Sequence, residues 1–98
     1  MAFTEEEYLL TCLMEECAGI QQAVSKCLRF GMKNYHPDDP GMTSNEELLA
    51  IELTGMVAVA QLLGGKHAPK IREIGANDET IVRKQTDVLH YFNNVPKI

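Results

Sequence analysis

Met14-Glu15-Glu16-Cys17-Ala18-Gly19-Ile20 lies in the middle of a long apolar run, and its two adjacent carboxylates and its glycine decide how the chain is read. Between Tyr8 and Phe30 there is no proline and only one glycine. The apolar residues Leu9, Cys12, Leu13, Ile20, Ala23, Val24 and Cys27 recur at helical spacing. Thr4 stands three residues before Glu7, which is the spacing of a reciprocal capping box. Glu5, Glu6 and Glu7 put negative charge at the positive end of the helix dipole. Gly31 suits the turn that ends a helix. Together these features predict a helix over residues 4–30, about 39 Å long at 1.5 Å per residue.

Outward from this helix, residues 32–43 read as a connection, because Pro37, Asp38, Asp39, Pro40 and Gly41 are turn formers. It is long for a helix–helix link, and long loops over a scaffold often touch ligands. Ser44, with Glu47 three residues later, opens a second helix. Its apolar stripe is Leu48, Met56, Val59 and Leu63, and Gly64-Gly65 is expected to end it. Residues 66–76, around Pro69, have mixed character. Asp78 is placed to cap a third helix ending near Phe92, with Ile81, Val82, Val88, Leu89 and Phe92 apolar. The tail from Asn93 to Ile98 is expected to be loose or to pack on a partner subunit. The chain therefore reads as a single all-α domain over residues 1–98. Its core helices are at about 4–30 and 44–64, and its C-terminal helix is at about 78–92. The first two helices should form an antiparallel hairpin with the third beside it or exchanged, the whole assembling into a helical-bundle oligomer.

Composition sets further bounds. With 98 residues, 45% apolar and 23% charged, the chain is an ordinary globular sequence. A domain this small buries only about 60–65% of its surface, which favours pairing with copies of itself. The formal charge of −5 gives no general attraction to a polyanion, so duplex nucleic acid is disfavoured. A small nucleotide needs only a few placed cations or a metal. Cys12, Cys17 and Cys27 lack zinc-site spacing and read as small buried residues of a reducing compartment. No uninterrupted run approaches the about 18 apolar residues of a membrane span. The acidic start, Met1 to Glu7, is the opposite of a secretory leader. Cytoplasmic residence is expected, in a host cell's cytoplasm if a phage encodes the chain.

Glu16 falls on the apolar stripe 9, 13, 16, 20, 24, 27 of the first helix. Glu52 falls on the stripe 48, 52, 56, 59, 63 of the second. An isolated buried carboxylate is costly, so an inward one must be neutral, paired or bound to a cation. Two helices with one inward glutamate each can hold a hard divalent cation such as magnesium, which prefers oxygen ligands. The plainer alternative is that the stripes are broad and both glutamates lie at their wet margins.

The order and spacing of these residues resemble the MazG-like all-α nucleotide pyrophosphohydrolases, especially their small stand-alone, often phage-encoded members. The resemblance is carried by Met14 to Ile20, then Ser25-Lys26-Cys27-Leu28-Arg29-Phe30-Gly31, then Asn45, then Glu52-Leu53-Thr54-Gly55-Met56, and covers about residues 5–64. It implies a helical hairpin whose Glu-Glu-x-x-Glu and Glu-x-x-Asp motifs bind magnesium. The metal holds a nucleoside triphosphate, and water attacks to release pyrophosphate. By this resemblance Glu15, Glu16 and Glu52 are metal ligands, Lys26 and Arg29 lie near phosphates, and Asn45 is the asparagine at the start of the second helix. The third acid of the first motif and the aspartate of the second fall on Gly19 and Gly55.

Each glycine lies three residues after a motif acid, one turn along the same face. Their effect is to remove two carboxylates, weaken magnesium binding and fix a water nucleophile poorly, while bare backbone lets a ring or ribose approach. The expected function is binding or sequestering a nucleotide or nucleotide-derived signal, as a sponge or sensor, without efficient hydrolysis. Lys26, Arg29, Asn45, Gly19 and Gly55 would contact the ligand. Two alternatives stand beside it. One is an active magnesium-dependent pyrophosphohydrolase completed by Asp38, Asp39 or a partner subunit; the other is a non-catalytic structural scaffold. No catalytic residue is assigned. His36, His67 and His90 are too dispersed for a histidine metal site. His36-Pro37-Asp38-Asp39 reads equally as a lid or as a polar turn. Tyr8, Phe30 and Tyr35 read as core aromatics before base-stacking ones.

Overall fold

The computed structural model describes residues 2–73 and 78–97. In chain order its elements are α1 (Glu5–Phe30), α2 (Asn45–Lys66), α3 (Pro69–Arg72) and α4 (Asp78–Phe92). Among the described residues there is no strand beyond one isolated antiparallel bridge between Tyr35 and Ser44.

α1 begins as its sequence dictates. The Thr4 hydroxyl accepts from the Glu7 amide at 3.1 Å, and the Glu7 carboxylate accepts from the Thr4 amide at 3.2 Å. The second of these contacts holds the Glu7 carboxyl below its ordinary range. Gly31 ends the helix with φ +91°, in the half of conformational space that favours glycine, and its amide donates to the Cys27 carbonyl. At α2 only half of the box forms, with the Ser44 hydroxyl accepting from the Glu47 amide.

α1 packs along α2, and α3 packs on the end of α2. The inner face of α1 runs through Leu9, Leu13, Glu16, Ile20, Ala23 and Cys27; Ala23 is buried where Val24 had been expected, and Val24 is 39% exposed. The closest neighbour therefore touches a slightly rotated stripe. On α2 the stripe Leu48, Met56, Val59 and Leu63 does face inward, and Leu63 is 1% exposed. Cys12 and Cys27 are half-buried, but Cys17 is exposed, contrary to the reading of all three as buried. Tyr8, Phe30 and Tyr35 are also exposed, because the hairpin has only one packed side for them to enter.

The loop from Gly31 to Ser44 is tied down at both ends. Asn45 donates its side-chain amide to the Gly31 carbonyl at 2.9 Å and its backbone amide to the Asn34 carbonyl at 2.8 Å. Lys33 pairs with Glu46 at 2.9 Å. The Thr43 and Gly41 amides donate to Asp39 and hold its carboxyl below the ordinary aspartate range. His36, Pro37 and Asp38 form an exposed turn, with the Asp38 amide donating to His36 Nδ1.

Two boundaries differ from expectation. α2 does not end at Gly64-Gly65 but continues to Lys66, capped at His67. Gly64 is buried instead because α3 lies against its bare face: a Cβ there would sit 2.8 Å from the Arg72 amide nitrogen and 2.9 Å from its Cα. Asp78 is the first residue of α4, so that helix's cap lies outside the described residues. α2 is also long and apolar enough to cross a membrane by length and composition, with an 18-residue window of mean hydropathy 1.7. No unbroken apolar run marks it, because Glu52 and Thr54 interrupt the stretch without making the window polar. α4 touches neither α1 nor α2 among the described residues, and all of its side chains are exposed.

The far ends of the hairpin are joined by Glu5, which accepts from His67 Nε2 at 2.9 Å and lies 3.8 Å from Lys66 Nζ. The hydrogen bond from His67, then the Lys66 charge, lower the Glu5 pKa. A carboxyl with a lowered folded pKa contributes stability above its unfolded pKa and loses it as pH falls through the folded value. Acidification below the ordinary glutamate range should therefore release this end of the hairpin first, seen as faster amide exchange at residues 67–72 than in the middle of α2. A second expectation concerns Gly64. Gly64→Ala should lower stability in urea unfolding by about 1–3 kcal/mol, because the methyl meets backbone that cannot turn aside.

Candidate functional site

α1 and α2 meet through two identical short motifs, Glu16-x-x-Gly19 and Glu52-x-x-Gly55. The Glu52 carboxylate lies over Gly19 and the Glu16 carboxylate lies over Gly55. A Cβ on either glycine would come within 2.9 Å of the opposing Cδ. All four residues are half-buried. Since each glutamate and its own glycine are three residues apart, the two carboxylates lie at levels about 4.5 Å apart along the hairpin axis. The missing side chain of each glycine is the space that the opposing carboxylate occupies.

The sequence left Glu16 and Glu52 either inward on facing helices or at the wet margins of their stripes; the structure sets them half-buried on facing helices, each against the other helix's glycine. It places the open space differently. The room left by the glycines is occupied by Glu16 and Glu52 rather than standing free for a ring or ribose. Neither carboxylate makes a hydrogen bond or an ion pair with any described residue, and no buried side-chain oxygen or nitrogen lacks a partner among the described residues. Both acids therefore keep contact with solvent. Glu15 is exposed and turned off this face, because adjacent residues on a helix point about 100° apart. Among the described residues no three His, Cys, Asp or Glu side chains gather as a metal-ligand group. Glu16 and Glu52 are thus the two residues able to contribute oxygen ligands to a cation in this cleft.

The other sequence candidates lie elsewhere. Lys26 and Arg29 are exposed on the last turns of α1, at least about 15 Å along the helix from Glu16. Arg29 stacks its guanidinium 4.8 Å over the Phe30 ring. Neither cation is ion-paired with a described residue. Asn45, 5% exposed, is committed to the Gly31 carbonyl and so fixes the loop beside these cations. The site divides into a carboxylate–glycine centre and a cationic loop end. Asp38 and Asp39 stay in the loop: Asp38 is exposed, and the Asp39 carboxylate binds the Gly41 and Thr43 amides. Sequence reasoning missed the reciprocity of the glutamates and glycines. The repeated Glu-x-x-Gly spacing was its only available signal.

In comparison with known proteins, the chain matches no family model, no curated protein and no solved structure.

Gly19→Ala gives a clear contrast with Gly64→Ala. At Gly19 the obstructing atoms are the far end of a flexible side chain, so Glu52 swings into water. Alanine then contributes its helix propensity, and stability should rise by about 1 kcal/mol in urea unfolding. A fall of similar size would show that the seated carboxylate is itself a stabilising contact.

Proposed function

We propose that this chain is a MazG-like nucleotide-binding protein, assembled as a homo-oligomer, that holds a nucleotide or nucleotide-derived signal without efficient hydrolysis. The observation that carries this reading is the mutual seating of Glu16 and Glu52 over Gly55 and Gly19. Catalysis of pyrophosphate release through magnesium needs the cation fixed and the phosphorus and water aligned. Two carboxylates with no further acid beside them provide a weak hold on such a cation. Anionic ligand binding does not need that hold. Lys26 and Arg29 are exposed and not ion-paired with described residues, and a phosphate takes charge-assisted hydrogen bonds from such groups. Asn45 keeps the adjoining loop in place for them.

Calorimetry against nucleoside mono-, di- and triphosphates and cyclic nucleotides tests the reading directly, with mass spectrometry of the recovered ligand. The expected result is binding that survives chelation of divalent cations, with the ligand recovered intact. Lys26→Ala and Arg29→Ala should each weaken it by about 10-fold or more. Binding to none of these ligands, or stoichiometric release of pyrophosphate with magnesium, would overturn the reading. The matching gain-of-function test is Gly19→Glu with Gly55→Asp. Four acids in one cleft should make the double variant less stable in chelator than the parent and restore its stability on adding magnesium, by mass-action linkage. Thermal shift reads this without any assay of activity.

A further inference from the structure

α4 is a helix with one apolar side and no helix against it. Ile81, Gln85, Val88 and Phe92 follow one another at spacings of four, three and four, with Val82 and Leu89 beside them. These side chains are exposed, and among the described residues α4 contacts neither α1 nor α2. A stripe of this kind belongs against another helix.

The outer side of α1 offers a seat with the same spacing. Leu10, Met14, Cys17 and Gln21 recur at four, three and four, and they line an apolar groove of about 630 Å³. This outer seam is separate from the inner one, through Leu9, Leu13, Glu16 and Ile20, which faces α2. Groove and stripe have the same length, about 16 Å. The path of the chain brings them together. Glu5 is joined to His67 at 2.9 Å, so the end of α2 lies at the start of α1. α3 then packs on α2, its Arg72 backbone against Gly64. Glu73 and Asp78 are five residues apart, a span of at most about 18 Å. The first turn of α4 is therefore tethered near the N-terminal end of α1, and Leu10 lies only about 7.5 Å along α1 from Glu5.

We propose that α4 is a strap that closes onto the outer groove of α1, parallel to it, and covers the Cys17 thiol. The tether sets the direction: α4 starts where α1 starts, so the two helices run the same way. In that register Ile81 meets Leu10, Gln85 meets Met14, Val88 meets Cys17 and Phe92 meets Gln21. Lys84 comes to the flank of α1 that carries Glu15. Both are exposed, and neither is ion-paired with a described residue, so closure supplies each with a counter-charge. The next pair below Leu10 and Ile81 is Glu7 with Asp78, and two acids end the match there. A contact of three turns is weak between separate molecules. It suffices within one chain, because a short tether holds the arm at an effective concentration of about millimolar. Cys17 is exposed with α4 away and shielded with α4 seated, so the strap controls access to that thiol. Closure takes place within one chain and is independent of the nucleotide reading.

Val88→Cys in the full chain tests the seat. Mild oxidation should join it to Cys17 within one chain, read by peptide mapping together with an unchanged single-chain mass on a non-reducing gel. Arg83→Cys, on the opposite side of α4, should not form that bond. Thiol alkylation reads the strap without a disulfide. Val88→Glu should speed alkylation of Cys17 by about 10-fold, with the helical circular dichroism retained, since Val88 is 54% exposed with the strap open. Lys84→Glu should speed it by about 2- to 5-fold, and adding Glu15→Lys should reverse that gain. A bond to Cys17 that links two chains, equal cross-linking from Arg83→Cys, or alkylation of Cys17 indifferent to Val88→Glu would each sink the strap. The first of these outcomes would assign the groove to the α4 of a second copy.

Discussion

Two glutamates seated on two glycines mark the closest meeting of the long helices that the structure shows between side chain and bare backbone. A carboxylate facing a helix neighbour normally holds that neighbour away or demands a cation. Here each carboxylate lies in a gap that the other helix leaves by having no side chain, so α1 and α2 approach while both acids stay wet at one edge. The arrangement is reciprocal, so each helix accommodates the other's carboxylate at the same level of the hairpin. The capped ends, the tied loop and the Glu5–His67 link then close a hairpin whose middle is already in place.

The same pairing bears on chemistry. Two carboxylates that fill the gaps left by the opposing glycines make the cleft a helix interface with no three-ligand group among the described residues. Nucleotide recognition, as proposed, then falls to Lys26 and Arg29 at the loop end, about three to three and a half turns of helix from Glu16. On this view, holding a ligand and hydrolysing it depend on different parts of the hairpin, and one can be retained when the other is lost.

Little of this protein is buried within a single chain. Leu9, Ala23 and Leu63 are its buried apolar residues among those described. α2 is apolar around most of its circumference, and a helix of that kind belongs in the middle of something larger. α1 carries two adjacent seams, and α4 carries an apolar stripe that touches neither long helix. These surfaces are the cost of so small a chain specifying three substantial helices, and they give association a physical basis.

By itself the sequence determined the helices, because caps, periodicity and proline placement are local: Thr4 with Glu7, Ser44, Gly31 and the stretch from Asp78 to Phe92 were all legible. It put Glu16 and Glu52 on the apolar stripes but left open whether they turn inward or lie at the wet margins, and the structure has both half-buried with solvent contact. Only the tertiary structure decided what Gly19, Gly55 and Gly64 are for. Gly64-Gly65 looked like a helix stop and lies within α2, with Gly64 giving α3 its seat; the paired glycines looked like open space and are filled. The reason is physical. A residue's propensity is a property of its own backbone and neighbours in sequence, but the use of a missing side chain depends on which atom arrives from another helix to take its place.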